Sequence, residues 1–382
     1  MTRIRLDEVS FSGIGNMVKL ANSIGGDLIR GEVGDVGALP PEEVRQALIN
    51  AYDAHLTHYP PFQGDDGLLD ALVIKVREKN HLPATKKNIF ITSGCSIGLS
   101  ISLSSILNDG DEVITTDPIW CHIPEMIKLA GGIPVFIPLH PETGRINLEA
   151  LARAITPKTK AIIINTPNNP TGAVLSLQEA NKIISLAKEY GLFIISDEEY
   201  ESFVYEKNKH FSIGSLYEDT ITCFSFSKTY ALSGFRLGYL VFPEHLMENI
   251  SKMFLYTQMY PSSLLQKGAL AALTASDLYS EALLRDYTSR AKVIVEGFTN
   301  AGLLTKMPEV SVYVWPKIPK GYSSSQVFCE DLLRHAGIVA VPGSVFGNQG
   351  KGHIRYSLFE PVDRQKIAVK KLQGWSIGLC RK

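Results

Sequence analysis

From about Asn88 onward the apolar positions alternate between two rhythms. Short, nearly unbroken runs rich in β-branched and aromatic residues (NIFITSG, DEVITTDP, GIPVFIP, KAIIINTP, LFIISDEEY, TITCFSFSK, RLGYLVFP) alternate with stretches that are apolar at helical spacing. The helical stretches are CSIGLSISLSSILNDG, Trp120 to Ala130, Leu148 to Ala154, and LQEANKIISLAKEYG closed by Gly191. Continuous apolar runs are what strands buried on both faces require, and helices between them favour parallel pairing. The pattern therefore predicts an α/β fold: a mostly parallel central sheet with helices on both faces.

After Pro243 the rhythm changes. Two helical stretches lead to a long one from about Leu278 to Ala301. The β-rich run VSVYVWP, a helix from Gln326 to His335, the strand GHIRYSLF and a final helix follow. This reads as a smaller α+β domain. The first 40 residues are Gly-rich and loop-like, and PEEVRQALINAYDAH is helical. The expected division is an N-terminal segment (1–40) joining the small domain, a large domain (41–275) and a small C-terminal α+β domain (276–382).

Composition narrows the function. Lys and Arg (38) balance Asp and Glu (39), and Lys86–Lys87 is as long as a basic run becomes. Nucleic acid and anionic membrane need clustered cations, so neither is an expected partner. Five scattered cysteines (Cys95, Cys121, Cys223, Cys329, Cys380) and nine histidines show no metal-ligand spacing, which predicts reduced thiols and no metal. The opening MTRIRLDEVS lacks the apolar core of a signal peptide, so the expected location is cytoplasmic.

Chemistry-bearing residues cluster at strand ends. In FSFSKTYALSGFRLGY, Ser225, Ser227 and Lys228 end a strand, and Arg236 follows a Ser-Gly turn. Such a lysine can form an imine with an aldehyde, while hydroxyls and a guanidinium fork grip a phosphate. Taken alone, it is equally a solvated surface lysine. In SDEEY, Asp197 follows an apolar strand, where open α/β sheets hold ligands. A carboxylate there can keep a pyridine nitrogen protonated, and the Tyr200 hydroxyl can bond a phenolic oxygen. A helix cap is the plainer alternative for Asp197. NTPNNPTG turns sharply and presents Asn169 at the same edge, although turns of this composition are common. TSGCS opens a helix at Cys95 and Ser96, a disposition suited to phosphate. Trp120 follows the next strand and can stack on a flat ring, or simply fill core. Their order and spacing together supply a phosphate cradle, a ring clamp, a nitrogen partner and an amine.

With these motifs the chain resembles the class I/II aminotransferases, which are fold-type I pyridoxal-5′-phosphate (PLP) enzymes, from about Gly31 to Phe359. The resemblance implies that Lys228 holds PLP as a Schiff base and shuttles a proton. It implies that Asp197 pairs with the ring nitrogen, Asn169 and Tyr200 with the phenolic oxygen, and that Trp120 stacks on the ring. Cys95, Ser96, Ser225 and Arg236 would hold the phosphate, together with Tyr59 (in HYPPFQGDDGLLDAL) lent by the other subunit of a homodimer. Arg355, in GHIRYSLF, and Gly31 would take the substrate carboxylate, with Asn169 beside them. The chain departs from the family near the substrate. GEVGDVG stands for Gly-Glu-Pro-Asp-Phe, and Val310, Ser311, Val312 and Tyr313 stand for Gly-Ala-Phe-Tyr.

The expected activity is transfer of an amino group between an L-amino acid and a 2-oxo acid. The alternative, motivated by the two altered segments, is a PLP-dependent lyase, a capreomycidine-synthase-like cyclase or an oxidase acting on a specialised amino acid. A PLP-sensing regulator lacks the added basic helix-turn-helix it would need. A nicotinamide-dependent dehydrogenase fails because TSGCSIGLS is not G-x-G-x-x-G.

Overall fold

Isoleucines at alternate positions of the central strands face opposite layers of helices, and this alternation organises the molecule. The computed structural model describes residues 5–205, 209–275, 277–310 and 312–379, so Ser311 and Cys380 lie outside the described residues. In chain order the first elements are α1 (Ile14–Ile24), β1 (Ile29–Arg30), α2 (Glu42–Asp53), α3 (Asp66–Glu78), β2 (Ile89–Thr92) and α4 (Cys95–Ile106). Then come β3 (Glu112–Asp117), α5 (His122–Leu129), β4 (Ile133–Pro138), α6 (Leu148–Ala154), β5 (Thr159–Asn165) and α7 (Leu177–Tyr190). β6 (Phe193–Asp197), β7 (Thr220–Ser225), β8 (Gly238–Val241), α8 (Met247–Thr257) and α9 (Ser263–Thr274) complete the larger unit.

Strands β2 to β8 form one seven-stranded sheet in the order β2-β8-β7-β6-β5-β3-β4. All pairs are parallel except those of β8, which runs antiparallel to both neighbours. Ile163, Ile195 and Ile221 pack on one face against Leu99 of α4, Ile123 of α5 and Ile250 of α8. Ile162, Ile164 and Ile194 pack on the other against Ile183 and Ala187 of α7. Each such side chain contributes about 1.5–3 kcal/mol when removed from water. α7 begins with a capping box between Ser176 and Glu179 and ends on Gly191 in the left-handed region, as the sequence signals require.

The C-terminal unit holds α10 (Asp277–Asn300), β9 (Tyr313–Val314), α11 (Ser325–Ala336), β10 (Ile338–Val339), β11 (Val341–Pro342), β12 (Ile354–Ser357) and α12 (Val362–Leu379). Strands β11-β12-β9 form a small sheet, and β1 pairs parallel with β10, Ile29 against Ile338. Met17 and Ala21 of α1 enter the same core as Phe298, Phe328 and Leu372. Among the described residues no helix is long and apolar enough to cross a membrane.

The structure differs from the sequence reading in the N-terminal 40 residues, which carry α1 and β1 rather than loop. Glycines at 13, 15, 25 and 26 punctuate the segment, and burial of Met17 and Ala21 outweighs their low helix propensity. Among the described residues of VSVYVWP, only Tyr313–Val314 pairs as a strand. α3, whose N-cap Asp65 accepts from Leu68 N–H, was not anticipated as an element.

Candidate active site

The carboxyl ends of β5, β6 and β7 lie side by side, in register Asn165–Asp197–Cys223. Asp197 is 2% exposed. Its carboxylate accepts from Asn165 Nδ2 (3.0 Å) and from the Cys95 thiol (3.4 Å). No cation pairs with it among the described residues. Burial chiefly, with the Glu199 charge next, pushes its pKa up to about 7. A carboxylate this deep among acidic neighbours is short of a positive partner.

Lys228 follows β7, is 7% exposed, and donates to the Gly34 carbonyl at 2.5 Å. The GEVGDVG segment thus touches the candidate lysine directly. It is fixed there by Ser233 Oγ, which donates to Asp35 Oδ2 (2.8 Å), and by the N–H of Ser357, which donates to the Gly31 carbonyl (2.7 Å). A Cβ on Gly31 would stand 2.3 Å from the Tyr356 ring, so only glycine fits.

Asn169, in the turn after β5, links two groups. Its amide donates to Tyr200 Oη (3.2 Å), and its oxygen accepts from Arg355 Nη1 (3.3 Å). Arg355 on β12 is 2% exposed, donates from Nη2 to the Glu32 carbonyl (3.2 Å), and leaves Nε without a partner. Its guanidinium lies over the Tyr313 ring at 4.2 Å and the Phe346 ring at 5.0 Å. No carboxylate meets it among the described residues, an arrangement that suits an incoming carboxylate. Tyr313 also reaches Tyr200, oxygen to oxygen at 3.3 Å.

The start of α4 forms a third corner. Its N-cap is Gly94 at φ +90°, with no capping side chain. A Cβ there would sit 2.9 Å from Arg236 Nη2, and one on Gly238 would sit 2.8 Å from the Cys95 amide nitrogen. Bare backbone, orphan N–H groups and a guanidinium in one place make a cradle for an anion. Arg236 is exposed and holds a left-handed conformation at φ 53°, its Nη1 donating to the Ser233 carbonyl. Ser225 is buried at the end of β7, where its hydroxyl accepts from Ser227 N–H (3.0 Å), and Ser96 is half-buried in the first turn of α4.

The structure therefore brings together Tyr200, Asn169 and Arg355 by direct contacts, joins Asp197 to Asn169 through Asn165 and to Cys95 through its thiol, and sets Arg236 at the glycine corner. Trp120 stands just before α5, edge-on to His122 at 4.5 Å. Arg355 lies close enough to His122 to help burial lower that imidazole's pKa. Tyr59 is apart from these groups, 84% exposed and packed on Tyr260 at 5.1 Å. Sequence reasoning missed Asn165, which the same NTPNNPTG run contains, and gave no role to the Cys95 side chain, whose thiol turns to Asp197. The Gly34 contact had no signal, because a backbone carbonyl carries none.

Comparison with known proteins agrees with this geometry. Residues 28–369 match the family model "Aminotransferase class I and II". The chain is 36% identical to aromatic-amino-acid aminotransferase 2 of Thermococcus litoralis, covering 97% of this chain and 96% of the relative. It is 34% identical to an aspartate aminotransferase of Pyrococcus abyssi, with coverages of 97% and 96%. Among solved structures, the aspartate aminotransferase of Thermus thermophilus with maleate superimposes with a TM-score of 0.93 at 32% identity, covering 98% of this chain and all (100%) of that one. A buried lysine and an acid at the strand ends of the large sheet, with an arginine on the small one, neither the acid nor the arginine meeting an opposite charge among the described residues, thus belong to a member of the class I and II aminotransferases, an enzyme of a family that works with PLP.

Proposed function

We propose that this enzyme transfers the amino group of an L-amino acid to a 2-oxo acid, with Lys228 as the residue that carries the cofactor and moves the proton. The observation that carries this reading is the pairing of unmet charges: among the described residues Asp197 is buried without a cation and Arg355 without an anion. PLP and an amino-acid substrate supply the counterparts, so the residues fit the group. When bound, PLP supplies an aldehyde carbon and a ring that withdraws electrons from it.

The protein's part follows from placement. Asp197, fixed by Asn165 and Cys95, holds a proton on the ring nitrogen once that nitrogen meets it. Asn169 and Tyr200 meet the ring oxygen, and Trp120 covers a face. Backbone N–H groups of Cys95 and Ser96, the Ser225 hydroxyl and Arg236 hold the phosphate, and Tyr59 of a second copy completes it. Arg355, with Asn169 and the Gly31 segment, orients the substrate by its carboxylate. Lys228 Nζ then takes the proton from the substrate's α-carbon and returns it one position away, a general-base step worth about 10²–10⁴-fold.

We also take residues 1–40 with 276–382 as one domain and 41–275 as the other, supported by the shared core of α1, α10 and α12. A cytoplasmic homodimer is the accompanying reading, supported by the four reduced cysteines among the described residues and by exposed Tyr59. Borohydride reduction of the holoenzyme followed by peptide mapping tests the assignment. A pyridoxyl mass on the Lys228 peptide is expected, and an unmodified peptide refutes the role. The lyase, cyclase and oxidase alternatives gain no support from the relatives, which are named aminotransferases.

A further inference from the structure

A second cavity, of about 490 Å³, opens between the loop at 139–145, the turn at 171–173 and the C-terminal unit, and neither Lys228 nor Asp197 lines it. Its size is that of a small-molecule pocket, and such pockets favour the seams between structural units. Three features give it a chemistry. Trp315 stacks on His353 with centroids 5.2 Å apart and ring planes at 4°, so the two rings lie parallel and one backs the other. Lys317 is exposed at the edge and has no ion pair among the described residues. The other two lining cations are engaged, Arg145 with Glu309 at 2.5 Å and Lys306 with Glu142 at 3.5 Å. Nδ1 of His353 is buried without a hydrogen-bond partner. A flat π surface beside an uncommitted ammonium selects a planar ring bearing a negative group.

We propose that this cavity binds a planar aromatic anion and that its occupancy alters substrate binding at Arg355. Two walls lead there. Trp315 meets Phe346 at 5.6 Å and 88°, and Phe346 lies under the Arg355 guanidinium. On the opposite wall, Thr171 Oγ1 donates to Asn168 Oδ1 (2.8 Å), and the next residue, Asn169, accepts from Arg355. The two walls are already interlocked, since a Cβ on Gly172 would stand 2.6 Å from Pro308 and from the Val310 carbonyl. A ligand that fixes their separation therefore acts on the Arg355–Asn169 contact from both sides, and by linkage the substrate acts back on the ligand.

Naphthalene-2-sulfonate is a suitable probe, titrated into the holoenzyme by calorimetry and tryptophan fluorescence. R355Q holoenzyme, crippled for substrate, is expected to keep saturable probe binding, which separates the cavity from the active site. K317E is expected to weaken it about tenfold while leaving basal transamination intact. Saturating probe should shift the amino-donor KM of the wild type roughly fivefold, and K317E should need about ten times as much probe to reach the same shift. Absence of saturable binding to R355Q, equal binding by K317E, or an unchanged KM and kcat overturns the proposal. None of these readings depends on whether Lys228 is the residue that borohydride labels.

Discussion

Asp197 sits where three successive acids, Asp197, Glu198 and Glu199, leave the sheet, and burial there favours its protonated form. Its pKa in the cofactor-free protein, about 7 against an ordinary 3.8, has a definite sign for stability. A raised acid binds its proton more tightly in the folded state. Its contribution is fully present below the ordinary value and is lost as pH rises through 7. Asp197 should therefore contribute a decline in the Tm of the cofactor-free enzyme from about pH 4 to 7, read as the difference between wild type and D197N. Added PLP should offset that decline, because a cation then meets the carboxylate. Lys228→Ala should cut transamination by at least about 10²-fold, with fold and Tm retained. Arg355→Gln removes charge-assisted bonds worth about 2–3 kcal/mol, and should lower kcat/KM for amino acids by roughly 30- to 150-fold. Steady-state kinetics with a panel of donors checks both.

Among elements, the start of α4 is the most exacting. Gly94→Ala places a side chain at φ +90° and against Arg236. The backbone strain alone is about 1–2 kcal/mol, so Tm should fall by a few degrees, and PLP affinity should fall further because the cradle itself is displaced. Equilibrium dialysis against PLP separates the two effects. Most elements of the large sheet were legible in the sequence, because strands buried on both faces must be apolar throughout and helices between them must be amphipathic. The motif residues were legible for a related reason: they occupy strand ends, where regular pairing stops and polar side chains face the crevice. The N-terminal helix was hidden by its glycines, and the two-residue strands of the C-terminal unit are too short to show a period. What touches Lys228 and Asp197 within the folded site, the Gly34 carbonyl and the Cys95 thiol, depends on packing between segments far apart in the chain, which no local pattern encodes.

At the scale of the whole molecule, the exposed apolar side chains remain to be accounted for. Tyr59, Tyr52, Tyr256 and Leu39 are large apolar side chains left exposed on one copy of the chain, and side chains of this kind are what a second copy covers. Sedimentation should show a dimer, and Tyr59→Ala should weaken PLP binding without lowering the stability of the isolated fold, since that ring contributes little to its own core. A monomeric holoenzyme of full activity would argue against a lent tyrosine.

The pairing of Ile29 with Ile338 also has a temporal side. During synthesis the segment that cradles Lys228 leaves the ribosome first, yet its docking strand follows roughly 300 residues later, about 15–60 seconds at ordinary translation speeds. Lys228 emerges within that interval, and from then until Ile338 follows the nascent polypeptide carries it on the large sheet unscreened by its Gly34 neighbour. Maturation of the catalytic pocket is thereby deferred to the end of translation, and a prematurely terminated product could bind the vitamin yet never present a finished substrate cleft.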